Sequence, residues 1–102
     1  MVTTNPAEHP QHRQAALGEV AELLTLLKQQ AASDELAHLI ELSEHLQRAV
    51  QAFHLEAIRF RMFSLDRALT AAAPNVPDTT RAIFERIRHE LEAAGFSTRS
   101  HT

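Results

Sequence analysis

From Asp34 to Ala73 the chain runs for 40 residues without a glycine or a proline, and Ala, Leu, Glu and Arg, all strong helix formers, dominate the run. That stretch predicts one continuous middle helix of about 40 residues. Ser33 marks its start, since the hydroxyl can accept a hydrogen bond from a first-turn amide, and Asp34 and Glu35 suit the positive end of the helix dipole. At 1.5 Å per residue such a helix would be about 60 Å long, whereas a compact domain of this size is only about 30 Å across.

Two shorter helices flank it. Leu17, Val20, Leu24, Leu27 and Ala31 recur at steps of 3 and 4, which predicts a first helix over 14–32. After Pro74-Asn75-Val76-Pro77, with Asp78 or Asn75 as cap, a third helix carries Ile83, Phe84, Ile87, Leu91 and Ala94 on one stripe. Gly95 can end it in the left-handed conformation, with Phe96 folded back onto Leu91. The expected fold is all-α: a three-helix antiparallel arrangement with a long central helix, the first helix covering its front half and the third its back half. Residues 1–13 and 97–102 read as flexible tails around a single helical domain, 14–96.

Two apolar seams run along the middle stretch. One contains Leu36, Leu39, Ser43, Leu46, Val50, Phe53, Ala57, Phe60 and Ser64; the other starts halfway, with Leu55, Ile58, Met62, Leu65, Leu69 and Ala72. If the third helix covers the second seam, with Ile58, Met62, Leu65, Ile83, Phe84, Ile87 and Leu91 as core, then Phe53, Ala57, Phe60 and Phe63 stay uncovered. Monomers seldom leave such a patch open, so a homodimer is expected, its long helices crossing near Ala57 in a coiled-coil-like contact. His54 and Arg61 form a polar strip beside that contact and would set its register. Residues 1–52 carry net −4 and residues 53–102 net +1, so an antiparallel pair would bring unlike halves together. The competing expectation is a monomer in which Ser64 or Asp66 caps a fourth, short helix.

Composition narrows the chemistry. The chain of 102 residues has a net charge of −3 and no cysteine, which excludes thiolate metal sites and a cysteine nucleophile and argues against a general nucleic-acid binder. Gly18 and Gly95 are its only glycines, so there is no glycine-rich phosphate loop. No signal peptide is read in 1–13, and the longest apolar cluster, Leu23 to Leu27, is far below the roughly 20 residues of a bilayer span. A cytoplasmic location and no membrane contact are expected. Seven histidines invite a metal reading: His38, Glu41 and His45 share one helix face, Glu35 and His38 have the E-x-x-H spacing of di-iron bundles, and Glu22 could reach in from the first helix. The same residues also make an ordinary solvated face with pairs four apart. No second E-x-x-H exists, no nucleophile and base share a readable spacing, and no cofactor is expected. The expectation is a non-enzymatic interaction module, a helical bundle serving an unidentified protein partner, with a metal-binding bundle as the alternative.

Overall fold

The computed structural model describes residues 8–96, with side chains described from Gln11 onward. The tail segments 1–7 and 97–102 lie outside the described residues. Four α-helices follow one another, α1 (Glu8–Lys28), α2 (Asp34–Ala52), α3 (Leu55–Ala72) and α4 (Asp78–Ala93), with a short 3-10 turn, Ala73–Asn75, before the last. Among the described residues there is no strand. Helix α1 packs against both α4 and α2, α2 packs against α3, and α3 and α4 approach less closely.

The three-helix expectation is therefore wrong, and so is the single 40-residue central helix. The chain turns back at Phe53 and His54, ten residues before the alternative break at Ser64, and α2 and α3 are 19 and 18 residues long. Phe53 adopts the left-handed conformation, φ 57° and ψ 40°. Its N–H donates to the Val50 carbonyl at 3.0 Å and the His54 N–H donates to the Ala49 carbonyl at 3.3 Å, a Schellman pattern built without glycine. His54 then caps the next helix, its Nδ1 accepting from the Ala57 N–H at 3.2 Å.

Energy accounts for the turn. A left-handed non-glycine residue costs about 1–2 kcal/mol. Folding back lets α3 bury Ile58, Met62, Leu65 and Leu69 in the same core as Leu39, Leu46 and Val50. Each fully buried aliphatic side chain contributes about 1.5–3 kcal/mol, so burial outweighs the strain several times over. The two seams are thus the inner stripes of two antiparallel helices rather than two faces of one.

Phe53 yields a direct test. Phe53→Gly is expected to be more stable than Phe53→Ala by about 1 kcal/mol, the reverse of their helix propensities, because both lose the ring and only Gly is free of the left-handed penalty. Urea unfolding of the two variants measures this, and an Ala variant equal to or above Gly would contradict the turn.

The other helix ends follow local rules. Ser33 Oγ accepts from the Leu36 N–H at 3.0 Å. Gly95 has φ 102°, and the Phe96 N–H donates to the Leu91 carbonyl at 3.0 Å, as expected at that terminus. Helix α1 begins at Glu8, earlier than the expected 14, and ends at Lys28, leaving Ala31 exposed outside it. A Cβ built on Gly18 would meet nothing within 4 Å, so no close helix contact requires that glycine.

Candidate functional site: the outer face of the α2–α3 hairpin

With α3 folded back on α2, the hairpin keeps an outer face that α1 and α4 do not cover. On α3, Phe60, Phe63, Arg67 and Ala71 recur at steps of 3 and 4; on α2, Glu35, His38 and Leu42 do the same. These two rows line a groove of about 530 Å³ between the helices. Its apolar rim is open: Phe60 is 58% exposed and Phe63 39%. Each ring has a guanidinium over it, Arg61 at 5.1 Å from the Phe60 centroid and Arg67 at 5.6 Å from the Phe63 centroid. Among the described residues neither arginine pairs with a carboxylate.

The opposite wall has the opposite sign. Glu35 accepts a hydrogen bond from Asn75 Nδ2 at 3.3 Å, and Glu41, one turn beyond His38, lies 3.7 Å from His45 Nε2. No Lys or Arg reaches either carboxylate among the described residues. The groove therefore has one carboxylate, Glu35, on its α2 wall, with Glu41 next to the lining, and one guanidinium, Arg67, on its α3 wall, with exposed phenylalanines on the α3 side.

The residues expected at a dimer contact divide into two groups. Phe60 and Phe63 stand on the outer face, with Arg61 beside Phe60. Phe53 and His54 sit at the turn: the Phe53 ring meets Phe96 edge-on at 4.8 Å beneath Arg13 at 5.0 Å, and His54 is occupied as a cap. Ala57 is half-buried against the chain's own core.

The residues considered for a metal are also dispersed. Glu22 binds Arg86 of α4, with both carboxylate oxygens 3.2 Å from Nη2, on the far side of the bundle. His38 and Glu35 line the groove, while His45 takes Glu41 on one ring nitrogen and Arg48 on the other at 3.3 Å. Among the described residues no three His, Asp or Glu side chains are gathered so as to hold a metal ion.

The three arginines of α4 differ in their settings: Arg81 is half-buried and Arg86 exposed, whereas Arg88 is buried. Arg88 Nη2 donates to Asp66 Oδ2 at 3.0 Å, Arg81 Nη1 donates to Asp66 Oδ1 at 2.8 Å, and both guanidinium groups flank the buried Phe84 ring. One carboxylate thus ties α3 to α4, whose backbones approach less closely than those of α1 and α4, α2 and α3, or α1 and α2. The alternation of Arg81, Asp66 and Arg88 across two helices has no sequence period, and only the fold brings it together. Arg86 is exposed instead; its hydrogen bond to Glu19 at 3.0 Å, partly opposed by desolvation, raises the guanidinium pKa above its ordinary value and links α4 to α1.

No helix among the described residues is long and apolar enough to cross a membrane. No protein-family model, curated protein or solved structure matches this chain.

Proposed function

We propose that this protein is a non-enzymatic interaction module that works as a homodimer, the outer face of its α2–α3 hairpin closing on a second copy. The observation that carries this reading is the groove edged by Phe60 and Phe63, two exposed aromatic side chains on one face of α3. Exposed aromatic side chains next to arginine are also the composition that protein interfaces favour. The charged groups that line the groove, Glu35 on α2 and Arg67 on α3, can select a partner by charge.

Sedimentation velocity and native mass spectrometry at about 100 µM, above the dissociation constant of a micromolar dimer, test the reading. The expected result is a species of twice the 11.4 kDa chain. The double variant Phe60→Ser, Phe63→Ser should sediment as a monomer with unchanged helical circular dichroism. A wild-type monomer at that concentration would overturn the proposal.

A further inference from the structure

Resting on the homodimer reading, we infer that the second copy docks with its α2 on this chain's α3, so that Arg67 of each copy meets the stretch from His38 to Glu41 of the other, with Glu35 a turn further along. A closed dimer made by one surface patch must have a twofold axis. Two antiparallel hairpins can meet face to face about such an axis in two ways. With the axis across the helices, α2 stacks on its own copy and α3 on its own copy. With the axis along the groove, α2 of one copy stacks on α3 of the other, and the two run antiparallel.

Charge decides between them. The first arrangement would bring Glu35 and Glu41 towards the same carboxylates of the second copy and Arg67 towards a second Arg67. The second arrangement sets each Arg67 on the carboxylate-bearing α2 of the other copy. Like charges brought together at an interface cost several kcal/mol, whereas opposed charges fix register and orientation. Within one chain both sets lack an oppositely charged Arg, Lys or carboxylate partner among the described residues, so docking would complete them without breaking an existing ion pair.

Levels along the axis agree. The turn at Phe53 and His54 places residues equally far from it side by side, and Glu35 accordingly reaches Asn75 across the end of the hairpin. By the same count Arg67 lies level with the stretch from His38 to Glu41, and Phe63 with Glu44, two residues from Leu42. An axis along the groove preserves these levels, so each Arg67 meets the segment of the second α2 that ends in Glu41, while Phe63 comes within two residues of its Leu42. The apolar contact and the charge contact are satisfied by one register.

The test is a charge exchange read by native mass spectrometry and sedimentation, with circular dichroism confirming that each variant is helical. Arg67→Glu alone, and Glu35→Arg with Glu41→Arg alone, should each weaken self-association about tenfold or more. Mixed in equal amounts, the two variants should restore a dimer containing one chain of each, and rising salt should weaken the wild-type dimer. If the wild type dimerises but both variants self-associate as it does, or the mixture forms no heterodimer, the proposed pairing is overturned while the homodimer stands. If the wild type is monomeric, the homodimer and the pairing fall together.

Discussion

Replacing Phe84 by Ala is expected to lower the unfolding free energy by about 3–5 kcal/mol, the range for deleting a buried aromatic ring. Phe84 is fully buried, and its ring packs among the stripes of α1, α3 and α4. Arg81 and Arg88 lie 5.3 and 5.1 Å from its centroid, so the ring also holds two guanidinium groups in place. A domain of about 100 residues has only about 5–15 kcal/mol to lose, and Phe84→Ala should leave a narrow margin or none. Phe84→Leu keeps most of the volume and should cost about 1.5 kcal/mol or less. Urea unfolding followed by circular dichroism measures both, and a loss below about 1 kcal/mol for the Ala variant would show that Phe84 is not at the centre of the core.

Asp66→Ala is expected to cost about 2–3 kcal/mol. Removing one partner of a buried ion pair costs about 3–5 kcal/mol because the other charge is left without compensation, and the partial exposure of Asp66 reduces that figure. Its side chain is 37% exposed, whereas that of Arg88 is 5% exposed. Glu85 stays near Arg88 at 3.3 Å and offsets part of the loss. The diagnostic comparison adds Arg88→Met to Asp66→Ala. If the penalty comes from a stranded guanidinium, the double variant should be more stable than Asp66→Ala alone, since the apolar side chain leaves no charge to satisfy. Equal or greater loss in the double variant would mean that Arg88 stabilises the core by packing alone.

The candidate surface was half legible. Phe60 and Phe63 stood out because they follow the helical period yet have no segment to cover them, and they are exposed. A stripe continued straight through residue 53 groups Phe53 and Ala57 with them; Phe53 is as exposed as Phe63, but it stands at the turn, and Ala57 is half-buried. A left-handed residue rotates the following helix, which carries Phe60 outward while Phe53 turns against Phe96. Glu35 and His38 share an E-x-x-H spacing along α2, but what places them beside Arg67 is the hairpin, which a spacing along one helix does not contain.

What the amino-acid order determined by itself is everything set within a few residues. Helix-forming composition made the chain all-α, Ser33 and Gly95 placed two helix ends through their own hydrogen bonds, and the period of 3 and 4 chose which side chains of α2, α3 and α4 are buried. What only the tertiary structure decided is the break at Phe53, the burial of Arg88 against Asp66, and the placing of Glu35 and Arg67 on one groove. The left-handed turn at Phe53 costs about 1–2 kcal/mol, but closing the hairpin buries four large side chains of α3 at about 1.5–3 kcal/mol each. That gain exists only when distant segments meet, so no local pattern in the chain could announce it.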